Sequence, residues 1–198
     1  MKRRSVITMG LLVVALTLTG CASEPSDRAD MGWSTLFDGS NLDHWNRVGD
    51  ANWTIVDGVL QSDAGIGFLV SKRAYADFQI HAEFWADAAA NSGIFIRCAD
   101  PRELTPENAY EVNIFDQRPD PSYATGAIVG VAKPATRVQA AGKWNTYDIT
   151  AIGDRLTVTL NGIRTVDGIR DGRHARGPVA LQRAAGVIKF RKVQIRPL

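Results

Sequence analysis

The chain has 198 residues, 45% hydrophobic and 22% charged, which is enough apolar material for one domain with a real core. Its formal charge is +2, but Lys2, Arg3 and Arg4 are all leader residues, and without those three basic groups the balance is −1. No basic run with interleaved aromatics stands elsewhere, which argues against a nucleic-acid partner, and two cysteines without a CxxC or HExxH motif argue against a disulfide framework or a transition-metal site.

In chain order, a basic n-region is followed by an apolar stretch from Val6 to Leu18. That stretch is shorter than the roughly 20 residues a spanning helix needs, so it reads as a signal peptide, residues 1–20. Leu18-Thr-Gly-Cys21 resembles a bacterial lipobox. The resemblance implies cleavage before Cys21, lipidation of that cysteine, and a membrane-anchored lipoprotein of the cell envelope facing the periplasm or exterior. Residues 21–31 then form a small, polar tether, leaving residues 32–198 as the domain. With Cys21 lipidated, Cys98 has no intramolecular partner.

The domain is written in strands. Alternating runs fall at Trp53–Val56, Phe78–Trp85, Gly93–Arg97, Tyr110–Asp116, Tyr147–Ala151, Leu156–Leu160, Ile163–Val166, Val179–Gln182 and Val187–Ile195. Asp57-Gly58 and Asn161-Gly162 between such runs predict two type I′ hairpins. One helical turn is the most that Pro101–Ala109 could hold. Asn91-Ser-Gly93 reads either as a turn, with Gly93 supplying an unusual backbone angle, or as part of a site. Many short strands with turn signals predict an all-β sandwich.

Alternation assigns Phe78, Ile80, Ala82, Phe84, Ile94, Ile96, Tyr110, Val112, Ile114, Val179 and Leu181 to the core. It leaves Gln79, His81, Glu83, Trp85, Phe95, Arg97, Glu111, Asn113, Phe115 and Gln182 outside it. Carboxylates, amides and flat aromatics together suit oligosaccharide recognition, since hydroxyls need fixed polar partners and sugar C–H faces pack on rings. The competing reading is a face covered by a loop or a partner chain. Glu83 and Glu111 would share the face if their strands are neighbours or flank the Arg97 strand, because adjacent strands lie about 4.8 Å apart. Asp116, five residues beyond Glu111, needs a strand end or bulge to reach the same side. Trp45 and Trp85 are the candidates for ring stacking; Trp33, Trp53 and Trp144 suit the core or its edges.

The ordered motifs "STLFDGSNLDHW", "YADFQIHAEFW", "NSGIFIR", "YEVNIFD", "GKWNTYDI", "RLTVTLNGI", "GPVALQ" and "IKFRKVQIRPL" resemble the 3-keto-disaccharide hydrolase domain family. The resemblance implies a concanavalin-like jelly-roll β-sandwich of two antiparallel sheets, acting on glycosides oxidised to a ketone at C3. It also implies functional positions at Glu83, Asn91, Ser92, Arg97, Glu111, Asp116 and Gln182.

A C3 ketone acidifies the C2 proton, so a carboxylate can remove it while the C1 bond breaks. In this expectation Glu111 is the base, Glu83 or Asp116 the acid or a supporting partner, and Arg97 stabilises the enolate. His81, Trp85, Asn91, Ser92, Asn113, Gln182 and Trp45 bind the sugar, with His81 an alternative acid–base group. An oxygen-ligated divalent cation held by Glu111 and Asp116 is a further option for the electrophile. A non-catalytic sugar-binding lipoprotein and an envelope interaction module remain as alternatives.

Overall fold

The computed structural model describes residues 32–198. The leader, Cys21 and the tether lie outside the described residues. Thirteen strands follow one another: β1 (Ser34–Phe37), β2 (Trp45–Gly49), β3 (Thr54–Val56), β4 (Val59–Ser62), β5 (Gly67–Tyr75), β6 (Phe78–Ala86) and β7 (Ser92–Ile96). Then come β8 (Tyr110–Ile114), β9 (Trp144–Ile152), β10 (Arg155–Leu160), β11 (Ile163–Arg170), β12 (Gly177–Arg183) and β13 (Ile188–Pro197). A single 3₁₀ turn, Pro121–Tyr123, interrupts the β8–β9 connection.

They form two antiparallel sheets packed as a concanavalin-like jelly roll. One sheet has the order β11-β10-β9-β6-β13-β4-β3, with β1 also paired to β13; the other runs β2-β5-β12-β7-β8. Both hairpin turns form as their sequences dictate, with positive φ at Asp57 (50°) and Gly58 (75°) and at Asn161 (51°) and Gly162 (79°). Pro101–Ala109 makes turns and no helix.

The core is the one that alternation describes. Phe78, Ile80, Ala82 and Phe84 of β6 are fully buried, as are Ile94 and Ile96 of β7 and Tyr110 and Val112 of β8. Phe84 stacks on Tyr147 with ring centroids 4.9 Å apart. Truncating such a ring to alanine costs about 3–5 kcal/mol. Tyr147, on β9, also donates its hydroxyl to the Asn113 carbonyl of β8 at 2.6 Å. This bond runs through the core from one sheet to the other and fixes β8 where its outward side chains are used.

Of two tryptophans compared with expectation, one departs from it. Trp53 is core, as anticipated. Trp45, proposed for stacking on sugar, is 5% exposed and donates its indole N–H to the Leu36 carbonyl at 2.7 Å. It sits on the edge strand β2 and turns inward, so it closes the sandwich rather than lining a site.

Candidate active site

The outward residues do not share one face. Consecutive strands β6 and β7 belong to opposite sheets, because the Asp87–Asn91 connection crosses between them. Gln79, His81, Glu83 and Trp85 therefore look out from the eight-stranded sheet, and Phe95, Glu111, Asn113 and Gln182 from the five-stranded one. A sandwich some 10 Å thick lies between Glu83 and Glu111, and the expected cross-strand carboxylate pair does not exist.

On the five-stranded sheet the face is split in two. Val70, Phe95 and Ala180 are covered by Leu104 and Ala109 of the β7–β8 connection, and Phe68 meets Phe95 edge to face at 5.2 Å. The covered-face reading thus holds for this half, and Phe95 has no surface left for a ligand. The other half remains open as a cleft of about 220 Å³ lined by Asn91, Pro106, Glu111, Asn113, Phe115, Arg118, Tyr123, Val129 and Gln182.

Glu111 sits at the seam between these halves. It is 7% exposed, and no hydrogen-bond or ion-pair partner reaches its carboxylate among the described residues. Burial, reinforced by the nearby negative charge of Glu107, pushes its pKa up to about 7. Gly93 is opposite Asn113 in the sheet and gives the carboxylate its room. A Cβ there would meet Val112 O at 3.1 Å, Glu111 Cγ at 3.3 Å and Glu111 Oε1 at 3.4 Å. The glycine thus serves space rather than an unusual angle, and Ser92-Gly93 belongs to a strand rather than a turn.

Gln182 carries the second unpaired group: its Oε1 is buried and has no hydrogen-bond partner. A buried acceptor without a donor is costly, about 1–3 kcal/mol, and this oxygen is available to accept from a hydroxyl entering the cleft. Asn91 lines the cleft while its backbone bridges Ala185. Asn113 is committed to the scaffold, donating its amide to the Tyr123 carbonyl at 2.5 Å and so holding the far wall. That wall brings two residues that alternation passed over. The Arg118 guanidinium lies over the Tyr123 ring at 4.8 Å and the Phe115 ring at 5.8 Å, with no carboxylate partner among the described residues. Both come from the aperiodic loop "DQRPDPSY", whose proline-flanked arginine and tyrosine were the only signal available.

The remaining expected site residues do other work. Arg97 is 1% exposed and follows β7 with φ 53°, which swings its side chain off the strand's alternation. It donates to the carbonyls of Ala76 (2.8 Å), Gly153 (2.7 Å) and His174 (3.2 Å) and pairs with Asp77 at 3.1 Å. It is a clasp at one end of the sandwich and offers nothing to an enolate in the cleft. Ser92 is fully buried, opposite the inward-facing Ile114, and donates to the Gln182 carbonyl at 2.6 Å. Asp116 accepts from Thr125 Oγ1 (2.6 Å) and from the backbone N–H groups of Ala140 (2.7 Å) and Ala141 (2.8 Å). These bonds pin the long β8–β9 connection and occupy the carboxylate, so Asp116 neither shares a cation with Glu111 nor serves as its acid. Among the described residues no group of three or more His, Cys, Asp or Glu side chains is arranged around a metal site.

On the opposite sheet the acids beside the expected site residues are matched. Glu83 is bonded to Arg191, and His81 Nδ1 lies 2.7 Å from Asp148 Oδ1, a contact that raises the histidine pKa. Trp85 lies beneath the Lys189 ammonium at 5.0 Å. A cleft of about 280 Å³ opens beside Glu83, but its carboxylate is already neutralised by Arg191.

With this geometry in place, residues 32–196 match the 3-keto-alpha-glucoside-1,2-lyase-like domain family. No curated protein matches the chain. Among solved structures it is similar to a Parabacteroides distasonis protein provisionally named a glycosyl hydrolase, at 27% identity and TM-score 0.72 over 84% of this chain and 99% of that one. A second such protein from the same organism aligns at 21% identity and TM-score 0.76, over 85% and 94% of the two chains. The carbohydrate-binding module CBM66 of Bacillus subtilis shares the fold at 18% identity and TM-score 0.58, covering 83% and 95%.

Proposed function

The chain belongs to the 3-keto-alpha-glucoside-1,2-lyase-like domain family, and from that premise we propose that its open cleft cleaves glycosides bearing a ketone at C3, with Glu111 as the base. The carbohydrate-active setting rests on the family and on the two glycosyl hydrolase-like relatives. One observation carries the assignment to Glu111: it is a nearly buried carboxyl without a partner, raised to about 7, beside an unpaired Gln182 oxygen in the same cleft. A base poised near neutrality is what proton abstraction next to a carbonyl requires.

In this reading the Glu111 carboxylate takes the C2 proton and the C–H electron pair moves into an enolate on the C3 oxygen. The Arg118 guanidinium supplies the positive field for that charge. Collapse of the enolate expels the C1 oxygen, which leaves with the proton that Glu111 had taken. The product is a 1,2-unsaturated ketone; addition of water across that bond gives net hydrolysis. Gln182 Oε1 and Asn91 hold sugar hydroxyls. One carboxyl serves both proton transfers: Glu111 is the acid among the described residues that line the cleft.

We propose also that Cys21 is lipidated and holds the domain at the cell-envelope membrane, which rests on the Leu18-Thr-Gly-Cys21 motif. Growth with an alkyne-bearing fatty acid should label the wild-type protein and leave Cys21→Ser unlabelled; equal labelling would refute it.

The catalytic reading is tested by offering 3-keto-disaccharides and their unoxidised parents in parallel. Release of sugar from the keto forms alone, lost in Glu111→Gln, is the expected result. Cleavage of the parents would overturn the ketone requirement. Saturable binding without turnover would replace the enzyme by a sugar-binding domain.

A further inference from the structure

The outer face of the eight-stranded sheet carries a pattern that the cleft chemistry does not use. A row of cations lies along β13, in the heart of the sheet. Lys189, Lys192 and Arg196 stand opposite Trp85, Glu83 and Gln79 of β6 in register, so all six share this face. Arg191 joins the row at the bulge between Phe190 and Lys192.

Three of the cations are laid over indole rings. Lys189 lies 5.0 Å from the Trp85 ring, Arg191 4.5 Å from Trp144 and Arg196 5.1 Å from Trp33. The Lys192 ammonium has no ion-pair partner among the described residues. Of the facing acids, Glu83 is neutralised by Arg191 and Asp148 is matched by His81, while Asp38 lines the cleft that Glu83, Arg191 and Lys192 share. The face therefore presents a net positive strip bordered by tryptophans. That combination suits the zone where anionic headgroups meet the apolar edge of a bilayer.

The chain's entry point lies on this side. Gly32 packs against Arg196, where a Cβ would lie 3.6 Å from its Cγ and Cδ, and Trp33 lies under the same guanidinium. β1 then joins the sheet on β13 itself. Residues 22–31 span at most about 35 Å even fully extended, so a lipid on Cys21 would hold this face close to the membrane.

We propose that the outer face of the eight-stranded sheet docks on an anionic lipid surface, turning the Glu111 cleft, on the opposite sheet, towards the solution. The proposal rests on the anchoring of Cys21. It gives the two faces separate tasks, one to seat the domain and one to meet the sugar.

The test uses the full lipidated chain reconstituted in phosphatidylcholine vesicles, with or without phosphatidylglycerol. A membrane-impermeant amine reagent is applied, and labelling is read lysine by lysine by mass spectrometry. Lys189 and Lys192 should label at least fivefold more slowly when phosphatidylglycerol is present. Lys72, on the five-stranded sheet, and the exposed Lys133 should be unchanged. About 1 M salt, which shortens screening to about 3 Å, should abolish the protection. Chain that fails to float with the vesicles would overturn the anchor, and the docking with it. Chain that floats but labels at Lys189 and Lys192 equally in both vesicles would overturn the docking alone, as would equal protection of all four lysines.

Discussion

The two outer faces of the sandwich draw on the same residue types and end in opposite electrostatic states. On the eight-stranded sheet Glu83, His81 and Asp148 sit among cations and each finds a partner. On the five-stranded sheet Glu111 and the Gln182 oxygen are nearly dry and find none. A matched acid at a surface is a stable feature, worth about 0–1 kcal/mol as an ion pair. An unmatched, desolvated one is a cost that the fold carries until a ligand answers it. The composition of a face therefore does not single out a candidate site here; the balance of its hydrogen bonds does.

The largest expected effect sets the two carboxylates against each other. Glu111→Gln should lower turnover of a 3-keto-glycoside by about 10²–10⁴-fold, the usual worth of a general base, whereas Glu83→Gln should stay within about twofold. Comparable losses in both would erase the distinction between the faces.

Next is the residue expected at the site and found elsewhere. Arg97→Ala strips donors from three backbone carbonyls and the partner from Asp77, and should cost about 3 kcal/mol in urea unfolding. The fraction that remains folded should keep a normal KM. A raised KM at unchanged stability would return Arg97 to the cleft.

Glu111 should also be visible in stability. Its folded pKa, about 7, stands above its ordinary 4.5. The protonated form is the one that burial tolerates, so the wild type loses stability as pH rises through about 7. Glu111→Gln should match the wild type below pH 4.5 and exceed it by about 1–3 kcal/mol at pH 8. Equal stability at both pH values would mean that the carboxylate is solvated. The sharpest of the smaller effects is Gly93→Ala. Its Cβ would press on Glu111 Cγ and Val112 O, and should lower kcat about tenfold while changing stability by less than about 1 kcal/mol.

What the sequence made legible follows from what alternation encodes. Phe78, Ile80, Ala82 and Phe84 could be placed inside because a strand's period of two separates in from out. The same rule is silent on which sheet a strand joins, and so it merged Glu83 with Glu111. It also failed where the backbone left the β region: φ 53° at Arg97 rotates that side chain into the end clasp. Trp45 followed "DGSNLDH", which reads as loop, and only the pairing of β2 with β5 shows that the ring turns inward. Arg118 and Tyr123 lie in a segment without periodicity, brought to the cleft by Asn113 and by the Asp116 bonds to Thr125, Ala140 and Ala141. Glu111 was legible because an acid in the run "YEVNIFD" is out of character for a β-strand.

The most direct measurement of the central claim is a side-chain carboxyl titration by ¹³C NMR on protein labelled at glutamate. One carboxyl should titrate near pH 7, vanish in Glu111→Gln, and coincide with the pH at which turnover of the 3-keto-glycoside rises to half its maximum. A wild-type spectrum in which every glutamate titrates below about pH 5 would contradict the account.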